Sequence, residues 1–105
     1  MRTLSLLFSL CCLAAPAFAS DATPAQGAAK AHLCTGCHGV DGMKSAPGAA
    51  PIGGRPVGTL VSAMQDYRHL RRLNPAMQVL LLSMTDEDIL VVAEYFSSAG
   101  GAAER

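Results

Sequence analysis

The sequence has no tryptophan, only two tyrosines and three phenylalanines. Large rings supply much of the buried area in a small core. A chain of 105 residues built mainly from small apolar side chains is therefore marginally stable from burial alone. It needs a staple: a metal, a disulfide or a large cofactor. The formal net charge is zero, and without a basic excess the chain is not suited to holding nucleic-acid phosphates. No run alternates between apolar and polar residues as a half-buried strand would. No segment repeats another, and there is no catalytic triad, carboxylate dyad or phosphate loop.

What is present begins with an export signal. Arg2 precedes an apolar run over residues 4–15, and Ala17-Phe18-Ala19 is a small-x-small cleavage pattern that would leave Ser20 as the new N-terminus. The run is too short for a comfortable membrane span. Leu10 before Cys11, and Cys11 before Cys12, do not fit a lipidated cysteine. Cleavage removes Arg2, Cys11 and Cys12, leaving a net charge of −1 and only Cys34 and Cys37 as thiols. Export places that pair in an oxidising compartment. Residues 1–19 thus read as a signal peptide, 20–24 as a frayed polar leader, 25–100 as one domain and 101–105 as a tail.

The spacing predicts an all-α domain. Residues 25–37 are Ala-rich, with Leu33, Cys34 and Cys37 at helical spacing. Residues 39–58 carry six glycines and three prolines and read as a long loop that is functional or wraps something. A second helix is expected over residues 59–70, capped by Thr59, with a stripe of Leu60, Ala63, Met64 and Tyr67. Residues 73–84 are ambiguous, with Asn74-Pro75 as a turn signal. The last helix starts at a capping box formed by Thr85 and the acidic residues Asp86, Glu87 and Asp88. Ile89, Val92, Ala93 and Phe96 form its inner face, and Gly100-Gly101 is expected to end it.

Cys34-Thr35-Gly36-Cys37-His38 carries the chemistry. On a helix, positions i and i+3 lie on one face, a turn apart. Two thiols placed so can reach the two vinyl groups of one haem, and His38 can turn its imidazole under the ring to the iron. This string reads as covalent haem attachment. A thioredoxin-like pair needs a strand before it and a helix after it, and here a helix precedes and a Gly/Pro loop follows. A zinc site needs four ligands, and no second cluster is present, since His32 and His69 are isolated. A plain disulfide is the remaining alternative.

A low-spin electron carrier needs a second axial ligand, and Met raises the potential relative to a second His. Met43 lies too close to His38 in sequence to reach the opposite face easily, and Met64 sits on the apolar stripe of the second helix. Met84 holds the staple position before Thr85. Met77 follows Asn74-Pro75-Ala76 in a stretch read as irregular and able to bend over the ring. Met77 is the first choice and Met84 the second. Arg68, Arg71 and Arg72, with His69 among them, form a small basic cluster. It suits an acidic redox partner or a haem propionate, or else simply a solvated helix end.

Together these residues resemble the class I cytochrome c family. The resemblance runs over residues 25–99. It rests on Cys34-Thr-Gly-Cys-His38-Gly39, Asp41-Gly42, Pro51-Ile52-Gly53-Gly54, Asp66-Tyr67-Arg68, Asn74-Pro75-Ala76-Met77, Met84-Thr85-Asp86-Glu87-Asp88-Ile89 and Ala93-Glu94-Tyr95-Phe96. Within the family the chain is most similar to small bacterial periplasmic single-haem cytochromes. These include the cytochrome subunit of flavocytochrome c sulfide dehydrogenase and the single-haem halves of dihaem cytochromes.

The resemblance implies helices wrapped around one covalent haem c, and electron transfer in the periplasm rather than enzymatic catalysis. It implies partners that are redox proteins: an oxidase, a reductase or a flavoprotein dehydrogenase. It further implies that the Pro51 carbonyl orients His38, that Met77 is the axial ligand, and that Tyr95 or Phe96 joins the contact between first and last helices. The chain departs from the family in having Ile52-Gly53-Gly54-Arg55 after the proline, Met84 where Leu is common, and Arg71 and Arg72 within the altered segment after the second helix.

Overall fold

A computed structural model describes residues 20–43 and 46–102, with the backbone alone for 100–102. The export signal and its cleavage pattern lie outside the described residues. Four helices follow in order: α1 (Pro24–His38), α2 (Val57–Arg68), α3 (Pro75–Leu82) and α4 (Asp86–Ala102). Among the described residues there is no strand, as the missing alternation predicts.

Each helix start has a local cause. Thr23 caps α1 reciprocally: its hydroxyl accepts from the Gln26 N–H, and the Gln26 side chain accepts from the Thr23 N–H at 2.8 Å. Pro24 then fills the first helical position, where no N–H is needed. Thr23 and Pro24, at the end of the polar leader, thus form the start of the helix. Asn74 caps α3 by accepting the Met77 N–H at 3.2 Å, with Pro75 next. The Asn-Pro pair therefore starts a helix across the stretch read as irregular. Thr85 and Asp88 form the expected capping box of α4, each side chain taking the other's N–H at 3.1 Å.

The second helix differs from expectation. It begins at Val57, because the Pro56 carbonyl already accepts the Leu60 N–H at 3.1 Å. Thr59 thus lies inside the first turn and is no cap. α2 stops at Arg68 with Leu70 in the left-handed region at φ 63°. The Arg71 N–H returns to the Asp66 carbonyl at 2.8 Å and the Leu70 N–H to the Tyr67 carbonyl at 3.2 Å. This is a complete Schellman closure with leucine where glycine is usual. α4 runs through Gly100 and Gly101 to Ala102, so those glycines do not end it. Gly costs only about 1 kcal/mol in a helix, and Ala99 and Ala102 flank the pair.

α4 is the hub. α1 and α2 both pack on it, and α3 packs on α2. The core joins Ala31 of α1, Leu60 of α2, and Val92, Ala93 and Phe96 of α4. Ile89 and Phe96 are buried as their spacing predicts. α1 approaches α4 closely because it presents small residues: a Cβ at Gly27 would lie 3.6 Å from Tyr95 Cβ. Lys30 pairs with Asp88 at 2.5 Å across the same contact. On the other side of α4, Arg68 donates to the Met84 carbonyl at 2.9 Å and pairs with Asp86, which Gln65 also holds at 3.0 Å. The basic cluster is thus partly offset: Arg71 and Arg72 share Asp66, and Arg72 also stacks over Tyr67.

Candidate functional site

Cys34, Cys37 and His38 occupy the last turn of α1. Helical periodicity brings the two sulfurs to one side, one turn apart. Both are free thiols. Cys34 packs partly against the core, and burial pushes its thiol up from the ordinary value, with Cys37 adding a smaller effect in the same direction. Cys37 is exposed. α1 ends immediately after His38, at Gly39. Its φ of 79° and ψ of 164° belong to a region open in practice to glycine alone. The chain is thereby turned out of the helical path directly after His38.

His38 is the one buried polar or charged side chain among the described residues. Its Nδ1 lies 2.7 Å from the Ala50 carbonyl. A carbonyl only accepts, so Nδ1 carries a hydrogen, which leaves Nε2 as the ring nitrogen available to a metal. This corrects the role expected of Pro51. The carbonyl is that of the preceding residue, in the peptide unit that ends on the proline nitrogen. Pro51 still shapes the contact, because a residue before proline is held extended.

That carbonyl is placed by two crossing loop segments. The Ile52 and Gly53 N–H groups both reach the Gly42 carbonyl, at 2.7 and 3.1 Å. The approach leaves no room for a side chain: a Cβ on Gly53 would lie 2.1 Å from the Asp41 carbonyl oxygen. α4 fastens both segments. The Tyr95 hydroxyl donates to the Val40 carbonyl at 2.6 Å, and the Gly54 N–H donates to the Phe96 carbonyl at 2.9 Å. Ala46 N–H closes the loop onto the Cys37 carbonyl at 2.8 Å. Tyr95 and Phe96 therefore position the loops as well as packing the helices.

The methionines divide. Met64 and Met84 pack against the core. Met43 is about half exposed on the loop that follows His38. Met77 is half-buried in the first turn of α3 and is not among the side chains packed on the core. α3 is itself unusual. Its sequence Pro-Ala-Met-Gln-Val-Leu-Leu-Leu is almost wholly apolar, yet only Leu81 is buried. It packs on α2 and does not pack closely on α1.

These features fit a large apolar group with a metal at its centre. Two adjacent thiols can anchor it, an oriented imidazole nitrogen can ligate it, and Leu33 and Val40 flank the motif as exposed apolar side chains. They do not fit zinc, since among the described residues no three His, Cys, Asp or Glu side chains converge. His32 and His69 are exposed and stand apart. Ala50 and the Gly42–Gly53 crossing were not apparent from sequence, because a backbone carbonyl leaves no side-chain signal.

No protein-family profile matches the chain. Individual relatives do. Cytochrome c4 of Pseudomonas aeruginosa is 36% identical over 94 residues, covering 90% of this chain and 46% of that protein. Cytochrome c-553 of Nitratidesulfovibrio vulgaris is 32% identical over 102 residues, covering 92% and 98%. Cytochrome c-554(548) of Halomonas halodenitrificans is 35% identical over 77 residues, covering 70% and 93%. The chain spans about half the length of the cytochrome c4 relatives it matches.

Proposed function

The chain belongs to the class I cytochrome c family, and on that premise we propose a periplasmic carrier of single electrons with one haem c held by Cys34, Cys37, His38 and Met77. Family membership carries the electron-transfer role and the covalent haem; the residues and the compartment are the reading offered here. Bound haem supplies an iron that changes oxidation state by one electron.

The residues have distinct tasks. Cys34 and Cys37 would hold the haem through thioether bonds to its two vinyl groups, and sulfurs so committed would not be free to form a disulfide. His38 would offer Nε2 to the iron, with its ring fixed by the Ala50 carbonyl through Nδ1, a contact that would also raise the basicity of the ligand. Met77 offers a soft thioether from a capped first turn. Redox proteins are the partners. Among the described residues no helix is long and apolar enough to cross a membrane.

The observation that carries the reading is the buried His38 oriented by a single carbonyl, directly after two thiols on one helical turn. Haem staining on a denaturing gel tests the attachment, in a host with a working cytochrome c maturation system. Colour should stay with the chain and vanish in the Cys34→Ser, Cys37→Ser double variant. Met77→Ala should abolish the long-wavelength ferric iron–sulfur band and leave the stain unchanged. Loss of that band in Met84→Ala instead would reassign the ligand.

A further inference from the structure

We propose that cleavage between Ala19 and Ser20 creates a binding group: the new α-ammonium of Ser20 forms an ion pair with Glu94 that fastens the front of α1 to α4. The proposal rests on the export reading and supplies a structural consequence of it. The Ser20 N–H donates to one carboxylate oxygen of Glu94 at 2.8 Å, and the Ser20 hydroxyl donates to the other. These two residues are separated by 74 positions in sequence. Both are half-buried. Among the described residues no Lys, Arg or His lies within ion-pair distance of Glu94. Among the described residues its carboxylate is taken up by Ser20 alone.

In the uncut chain the Ser20 nitrogen is a neutral amide with one hydrogen. Hydrolysis by a leader peptidase adds one water across the Ala19–Ser20 bond. Ala19 leaves as a carboxylate, and Ser20 gains an amine that is largely protonated at neutral pH. The nitrogen then carries three hydrogens and a positive charge. The 2.8 Å separation already suits a charge-assisted bond. Serine holds both carboxylate oxygens through its amine and its hydroxyl together, whereas alanine at the same position would hold only one. The leader also borders an open cleft between α1 and α4, where Ala22 and Thr23 face Val91, Glu94 and Tyr95. The clamp therefore closes the helix contact nearest the capped start of α1.

Mass spectrometry of the exported holoprotein reads the cut, and a chain beginning at Ser20 is expected. Thermal melts at pH 6 then compare four holoproteins: mature chains beginning at Ser20 or at Ala19, each with Glu94 or with Glu94→Gln. With Glu94, the extra residue should lower the melting temperature by roughly 2–5 °C, the scale of a partly exposed ion pair in a small domain. With Glu94→Gln the two starts should melt alike. All four should share one haem spectrum, which keeps the clamp separate from the electron-transfer reading. A cut elsewhere overturns the export premise. The expected cut with equal melting of the two Glu94 forms overturns the ion pair.

Discussion

At the residue scale, the costs in this fold fall where the chain turns. Leu70 closes α2 at φ 63° and is 64% exposed. A side chain in that region costs roughly 1–2 kcal/mol relative to glycine, and an exposed leucine recovers little of it by burial. Leu70→Gly should therefore stabilise the holoprotein by about 0.5–1 kcal/mol, after allowing for the extra freedom glycine gives the unfolded chain. Chemical denaturation would read this as a higher midpoint at unchanged slope, and a lower midpoint would show that Leu70 is held by packing. Cys34, Cys37 and His38 were legible in the sequence because their chemistry lies in side chains at a fixed spacing. Ala50 was not, and the reading fell one residue late, on Pro51. A carbonyl belongs to every residue, and only the fold selects which one faces His38. Gly53 was visible as a loop residue, but the crossing that would put an added Cβ 2.1 Å from the Asp41 carbonyl oxygen depends on two segments meeting.

At the element scale, helix starts were legible in proportion to how much of the cap is written in side chains. Thr85 and Asp88 were read correctly. Thr23 with Gln26 and Asn74 with Pro75 carry the same grammar but were read as a leader and a turn, since proline suggests a break as readily as a first turn. The helix contacts across α4 are held by exposed pairs whose pH dependence has a defined sign. The Lys30 ammonium, and next the Thr85 N–H, hold the Asp88 carboxyl below its usual value. Gln65 and then Arg68 do the same for Asp86. A carboxyl lowered in the folded state stabilises above its unfolded value, near 3.9, and that contribution is lost as pH falls through the folded value. The melting temperature should thus be insensitive to these pairs near neutrality and fall on acidification below about pH 4. Asp88→Asn should flatten part of that fall, because its amide still serves the cap but has no charge to lose. An unchanged acid profile in Asp88→Asn would assign the acid loss to other groups.

At the scale of the whole molecule, the shortage of large rings has a direct counterpart in the core. The buried apolar set is Ala31, Leu60, Leu81, Ile89, Val91, Val92, Ala93 and Phe96, and four of the eight are Ala or Val. Meanwhile Leu33, Val40, Leu73, Val79 and Leu82 remain mostly exposed. Polypeptide burial is thus too slight to offset the ordering of the chain by a wide margin. The bound group must supply the rest, and the helices differ in how much they depend on it. α4 has α1 and α2 against it, whereas α3 packs on α2 with one buried side chain. Made without haem, as the Cys34→Ser, Cys37→Ser variant, the chain should lose its cooperative melt and much of its far-ultraviolet helicity. Hydrogen exchange should rank the damage: α3 amides exchanging near coil rates, and the first half of α4 keeping the most protection. A haem-free chain that melted cooperatively at the holoprotein temperature would show that these four helices suffice alone. The haem would then be cargo in a finished fold, not part of the core.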